Sequence, residues 1–349
     1  MHVMVTGHDG YIGTSLVPLF QKAGHTVVGV DSGLFSDCTF MPVASPADVE
    51  LWMDIRDLRP EHFEGVDAVV HLAGISNDPL GDLNAATTYD INHLATVHVA
   101  RTAKLAGVRR FAFSSSCSTY GASGDEPIDE SASFAPVTPY GESKVLAERD
   151  LTVLADGDFN PTFLRNATAY GVSPRLRGDL VVNNLTGYAV TTGEVLLKSD
   201  GSPWRPLVHI EDIARAFLAV VEAPRALVHL KAYNVGRSDE SYRIRDVAKI
   251  VEEVVPGSVV AMSPGASPDK RNYRVDCDLI RRELPAFEPQ WTVRRGVEEL
   301  YDAFLQYGLT EERLTGSELQ RIKHILDAQE RGEVDADLRL TTSGETAHV

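Results

Sequence analysis

Short apolar runs alternate with longer amphipathic stretches through the first half of the chain. Val3–Thr6 is apolar and rich in β-branched residues, the pattern of a buried strand. Over 12–24, Ile12, Leu16, Leu19 and Phe20 recur at helical spacing and Gly24 suits a C-terminal cap, with Pro18 a slight interruption. Further strands are expected at 26–31, near 51–54, at 66–74, 109–116 and 161–166, with helices at about 84–106 and 141–155. Strands alternating with helices predict an α/β fold: a doubly wound parallel sheet with right-handed crossovers and helices on both faces. After residue 170 the pattern loosens into helices near 181–193, 209–223, 243–255 and 293–307, with short strands such as "EVLLKS" and "AYNVG" between them. This predicts a smaller C-terminal lobe, with some elements returning to the first sheet. Past Gly308, "GSELQRIKHILDAQERGE" predicts another helix, with Leu319, Ile322, Ile325 and Leu326 as one apolar stripe. Residues from 340 onward are polar and expected to be disordered. The expected division is 1–170, 171–310, a helical extension over 311–339, and a tail over 340–349.

On such a sheet, ligands bind beyond the carboxyl ends of the strands. Those ends gather Gly7, Asp31, Asp54, Ala73–Gly74, Ser114–Ser116 and Asn166. The first turn, in "VMVTGHDGYIG", carries Gly7, Gly10 and Gly13 three residues apart between strand and helix. Bare backbone there lets a phosphate approach the N–H groups at the positive end of a helix. The second strand ends in Asp31, 18 residues after Gly13. An acid at that point accepts from an adenosine ribose and repels a 2′-phosphate, which favours NAD over NADP. The spacing is G-x-x-G-x-x-G rather than G-x-G-x-x-G, so a turn that merely packs helix on strand is the competing reading.

The 349 residues are 43% apolar and carry a net charge of −17. That balance argues against nucleic acid or an anionic membrane as partner. An anionic ligand must then be held by locally placed arginines or helix N-termini. Cys38, Cys117 and Cys277 show no C-x-x-C pairing, so neither a disulfide framework nor a metal site is expected. No run reaches the ~18 apolar residues of a membrane span. Residues 1–11 enter a strand directly, without the pattern of a signal peptide. The expected location is the cytoplasm.

Two stretches carry chemistry. "PYGESK" puts Tyr140 and Lys144 one turn apart at a helix start, and "SSSCSTYG" puts Ser114, Ser115 and Ser116 at a strand end. A phenol is a poor base at its ordinary pKa near 10. A neighbouring ammonium and the positive charge of NAD favour the phenolate. Such a tyrosine can take a proton from a substrate hydroxyl while hydride leaves the same carbon, with a serine hydroxyl holding that oxygen. Each piece alone is ordinary, since i,i+4 pairs and polar strand ends are common.

These segments resemble an extended short-chain dehydrogenase/reductase of the NAD-dependent epimerase/dehydratase type, the sugar-nucleotide enzymes. The resemblance covers about residues 1–308 and rests on "TGHDGYIG", Asp31, "DIRD", "HLAG", "YDIN", "SSSCSTYG", "PYGESK" and "RPLVHIEDIARA". It implies a Rossmann-type sheet and a nucleotide-sugar-binding lobe after residue 170. It implies Tyr140, Lys144 and Ser116 as the catalytic group. The implied NAD site comprises Gly7, Asp9, Gly10, Tyr11, Ile12, Gly13, Asp31, Asp54, Ile55, Leu72, Ala73, Gly74, Asn92 and Ser114, with Tyr140 and Lys144. The implied substrate contacts are Ser116, Cys117, Ser118, Asn166, Thr168, Asn184, Arg205 and Arg271. Of these, Arg205 in "WRPLVHI" falls on a diphosphate-binding arginine, which suits the need for a planar cation in so acidic a chain. Arg175 and Arg177 in "SPRLRGD" either face the pocket or stand as solvated loop charges.

Departures narrow the reaction. Thr168 stands where the family usually has Asn, and "GISNDPLGD" (74–82) and the tail helix lie outside the common pattern. The 4,6-dehydratases carry an Asp-Glu pair after the serine or threonine; here Cys117 and Ser118 stand there. Cys117 is one residue away from the position of a catalytic cysteine in some relatives, and a small buried hydrophobe is the preferred reading for it. Epimerisation needs least. The expectation is therefore an NAD-dependent nucleotide-sugar 4-epimerase, with a C4 dehydrogenase or ketoreductase as the alternative and an NAD-binding regulator as the reading outside enzymes. Apolar positions beyond one stripe on 84–106 (Leu94, Val97, Val99, Ala103) and 141–155 (Val145, Leu146, Leu151) fit a homodimer through these helices, as in the resembled family, or packing on their own sheet.

Overall fold

In the computed structural model, Val3 and Val5 of the first strand pack on one face of a sheet and Met4 packs on the other. The same parting of odd and even positions recurs along the chain: Ala68 and Val70 against Val69, and Ala112 against Phe111 and Phe113. That alternation, with both faces apolar, is the signature of a sheet covered on both sides. The described residues are 1–76, 81, 83–121, 124–197, 199–263 and 272–341.

Among them the main sheet has seven strands: β1 His2–Thr6, β2 Thr26–Asp31, β3 Val49–Trp52, β4 Ala68–His71, β5 Arg110–Ser116, β6 Asn160–Asn166 and β7 Ala232–Val235. Their spatial order is β7-β6-β5-β4-β1-β2-β3, and every pairing is parallel. The order reverses at β1, leaving a crevice between the β1 and β4 ends, where such folds bind ligands. Helices Gly13–Lys22 and Ile210–Glu222 cover the Val3 face through Leu16, Phe20, Ile213 and Phe217. Helices Thr96–Leu105 and Pro139–Leu154 cover the Met4 face through Val99, Ala103, Ala147 and Leu151. A separate apolar cluster joins helices Val181–Thr192, Ile244–Val254 and Val293–Gln306 to strand Glu194–Leu197.

Three expectations need correction. The third strand runs over Val49–Trp52, two residues earlier than read, because its partner Asp31 pairs with Trp52. The helix expected over 84–106 is broken in character: Ala85–Tyr89 is α, Asp90–Ala95 is π-helical, and Thr96–Leu105 is α again. The stripe assigned to the tail helix is wrong in part. Helix Arg321–Glu330 buries Arg321, His324, Ile325 and Ala328, while Leu326 is 46% exposed. Polar partners decide that face: His324 Nε2 hydrogen-bonds the Leu34 carbonyl at 2.8 Å. Leu340 bridges to Val334, the Thr341 N–H donates to the Glu333 carbonyl at 2.9 Å, and residues 342–349 lie outside the described residues.

Candidate active site

The glycine loop is tight behind and open in front. Gly7 has φ +76° and donates its N–H to Val30 at 2.7 Å. A Cβ on Gly13 would lie 2.2 Å from the Gly7 carbonyl oxygen and 2.4 Å from that of His8. Only hydrogen fits there, so the helix start can press against the turn. Gly10 is less confined, with Gly7 O at 3.2 Å from a built Cβ. All three glycines line a cavity of about 850 Å³ running across the carboxyl ends of the sheet. Packing and an open phosphate cradle are thus both present in one turn.

The cavity wall continues with Tyr11, Ile12, Asp31, Asp54, Ile55, Leu72, Ala73 and Gly74. Asp31 accepts from the N–H groups of Asp9 (3.2 Å) and Gly33 (3.0 Å), and burial raises its pKa. A partly buried carboxylate so oriented suits a ribose diol. Asp54 pairs with Arg56 at 2.6 Å, which also reaches Asp90 at 3.0 Å.

The register of β5 on β6 sets Ser114 beside Leu164 and Ser116 beside Asn166. Asn166 Nδ2 donates to Ser114 Oγ at 3.0 Å, while its Oδ1 has no hydrogen-bond partner although buried. Ser116 caps a short 3₁₀ turn: the Ser118 N–H donates to Ser116 Oγ at 3.1 Å. That bond uses the oxygen as acceptor and leaves its O–H to donate. Tyr140 and Lys144 come from the first turns of helix Pro139–Leu154, capped by Thr138 accepting from the Gly141 N–H at 3.2 Å. Lys144 Nζ donates to the Ser114 carbonyl at 2.8 Å, lies 4.7 Å from the Phe113 ring centroid and 5.8 Å from that of Tyr140. Burial pulls the Lys144 pKa down to about 8, and Glu148 opposes the shift. Tyr140, Lys144, Ser114, Ser115, Ser116, Ser118, Asn166 and Thr168 all line the cavity. Beyond them the wall holds Asn184, Arg205 and Tyr273, with the Arg205 guanidinium 5.6 Å from the Tyr273 ring centroid.

Three predicted residues are placed off the wall. Cys117 is buried among Tyr120, Tyr273, Val275 and Cys277, and burial pushes its thiol pKa up, so it packs as a hydrophobe. Asn92 spends its side chain clamping the loop after β4: it accepts from the Ile75 N–H at 2.7 Å and donates to the Ile75 carbonyl at 2.8 Å. Asp9 turns its carboxylate to Arg175 at 2.7 Å and to Ser36 Oγ at 2.8 Å. Arg175 is therefore neither a pocket charge nor a solvated one. Arg177 does line the cavity, paired with Asp179 at 2.6 Å and bonded to Ser76 Oγ at 2.8 Å. Arg271 lies outside the described residues.

Arg321 and Gln320, absent from the sequence-predicted set, reach this wall from the C-terminal extension. Neither carries a signal in the sequence, because a lone arginine beside a glutamine at a polar helix start reads as solvated surface. The set fits NAD on observations of the chain itself: a glycine cradle, a ribose-ready acid, and orphaned polar atoms on Asn166, Ser118 and Arg321.

The comparisons agree. Residues 3–236 match the model of the NAD dependent epimerase/dehydratase family. UDP-glucose 4-epimerase of Erwinia amylovora is 26% identical over 339 residues, covering 86% of this chain and 95% of that one. A structure of MoeE5 with UDP-glucuronic acid and NAD superposes with TM-score 0.76 at 25% identity, over 88% of this chain and 99% of that one. TunA, an NAD-dependent NDP-hexosamine 5,6-dehydratase, shares the fold at TM-score 0.78 and 22% identity, over 87% and 98%. This chain belongs to the NAD-dependent epimerase/dehydratase family, and its cofactor is NAD.

Proposed function

We propose that this chain inverts C4 of a nucleotide-diphosphate sugar, with a UDP-sugar as the first candidate from the names of its relatives. The observation that carries the reading is a tyrosine, lysine and serine on one cavity wall that, among the described residues, has no idle carboxylate. Among the described residues, the acids lining the cavity are Asp31, Asp54 and Asp179. Asp31 is held by backbone N–H groups, Asp54 by Arg56 and Asp179 by Arg177. Loss of a C6 hydroxyl needs a further acid and base, and Cys117 and Ser118 supply neither.

When bound, NAD takes hydride from the sugar carbon and returns it. The chain's own residues manage the proton and the geometry. Tyr140 takes the hydroxyl proton as the carbon is oxidised and gives it back on reduction. The Lys144 cation favours the phenolate. Ser116 donates its free O–H to the same oxygen, stabilising it as its charge grows. Arg205 holds the substrate diphosphate by a planar pair of N–H groups. Inversion requires the keto sugar to turn within the cavity before reduction.

The test is direct mixing of purified protein with UDP-glucose and, in turn, GDP-, CDP- and dTDP-sugars. The expected result is a transient in the NADH absorbance band and product inverted at C4. Silence across all four nucleotides sinks the reading.

We further propose a homodimer in the cytoplasm. Leu94 is 57% exposed, and Val145 and Leu146 are half-buried, which leaves apolar surface on both helices. Val99, Ala103 and Leu151 are already used in the chain's own core. Three buried free thiols suit a reducing compartment. A monomeric mass by light scattering contradicts the dimer.

A further inference from the structure

The C-terminal extension reaches back over the cofactor end of the cavity. Ile325, Ala328, Val334 and Leu338 form one apolar cluster with Leu34, Ile75 and Ile91. Charged contacts fasten it: Arg339 meets Asp57 at 2.6 Å, and Arg56 donates to the Asp337 carbonyl at 2.9 Å. At the other side of this strap, Cys38 Sγ donates to the Ser317 carbonyl at 3.5 Å.

Arg321 stands at the centre of the strap. It is 5% exposed, yet its Nη1 has no hydrogen-bond partner. Its Nη2 donates to the Arg175 carbonyl at 3.0 Å, and its guanidinium lies 4.8 Å from the Phe35 ring centroid. Arg175 in turn donates to the carbonyl of Asp9 at 3.1 Å, within the glycine loop. Arg321 is thus two contacts from the turn that cradles phosphate, and it lines the same cavity as Gly10 and Ile12. A buried cation with an idle donor is costly unless an anion completes it. Burial and the neighbouring Arg177 both weaken its hold on its proton, whereas Cys38 and Asp179 strengthen it, and the net shift is downward. Asp179, the acid that bears on Arg321, is already paired with Arg177 at 2.6 Å, and the cavity that Arg321 lines is the one the glycine loop opens onto, which leaves a bound dinucleotide's diphosphate to complete it.

We infer that Arg321 is a diphosphate ligand for NAD, brought by the C-terminal extension to the cavity that the glycine loop also lines. The extension is then part of the cofactor site, and it slows exchange of NAD as well as covering it. This rests on cofactor binding alone, so it stands or falls separately from the epimerase reading.

The experiment measures equilibrium binding of NAD, ADP and adenosine to the cofactor-free full-length protein by calorimetry. Arg321→Gln is expected to weaken NAD and ADP by about tenfold or more and to leave adenosine nearly unchanged. Arg321→Lys, which keeps the charge but loses the planar pair, falls between. Arg331→Gln, an exposed residue paired with Glu333 at 2.8 Å, serves as the control and binds as wild type does. Equal losses for ADP and adenosine mean that Arg321 only holds the strap in place, and they overturn the inference. Unchanged ADP affinity in a folded Arg321→Gln protein overturns it too. Should Arg321→Gln not fold, the Lys variant decides: ADP affinity equal to wild type counts against the contact.

Discussion

Lys144 Nζ donates to the main-chain carbonyl of Ser114 at 2.8 Å, so the helix that carries Tyr140 is tied to the end of β5 through its own ammonium. The group is buried, and its pKa is pulled to about 8 from 10.5 by desolvation. Between about pH 8 and 10.5 the unfolded chain therefore holds a proton that the folded chain has shed. The contribution of Lys144 to stability rises with pH across that window and weighs against folding below it. In cofactor-free protein carrying ¹³C-labelled lysine, one side-chain resonance is expected to titrate near 8 and to vanish in Lys144→Met. Titration of every lysine above 10 contradicts this.

The glycine turn makes a graded prediction. A methyl on Gly13 meets two backbone oxygens at 2.2 and 2.4 Å, whereas one on Gly10 meets a single oxygen at 3.2 Å. Gly13→Ala is expected to lower the melting temperature of the cofactor-free protein well beyond the effect of Gly10→Ala, because backbone cannot step aside. Equal melting temperatures for the two variants count against a packing role for Gly13.

Glu148 meets Arg165 at 2.8 Å with 5% and 7% of their side chains exposed. Ser115 Oγ also donates to Glu148 at 2.5 Å, and Arg165 bonds the Tyr120 hydroxyl at 2.9 Å. Glu148→Gln leaves a buried guanidinium without its counter-charge and is expected to cost roughly 3–5 kcal/mol of stability by urea unfolding. A loss below about 1 kcal/mol shows that water or another acid reaches Arg165.

The periodicity of the chain carried most of the architecture. The apolar, β-branched run Val3–Thr6 announced a buried strand, and Leu16 and Phe20 announced the helix behind it, because burial acts on these local patterns directly. Strand "AYNVG" was legible as a strand, but its seat beside β6 is a long-range pairing that no local pattern encodes. The cavity residues Tyr140, Lys144 and Ser116 were legible because their spacing is itself chemical. Arg321 was not, since a lone arginine in a polar helix looks like a solvated charge until the fold buries it. Leu326 failed for the converse reason: His324 and Arg321 found buried polar partners and turned the helix face away from it.

The account turns on the phenol of Tyr140 taking a proton as the sugar carbon is oxidised. The measurement is rapid mixing of NAD-loaded Tyr140→Phe and wild-type protein with UDP-glucose, followed in the NADH band, after calorimetry has shown equal NAD binding. The account predicts a transient in the wild type, and in the variant a rate lower by about 10²–10⁴. A variant that forms NADH at the wild-type rate contradicts it.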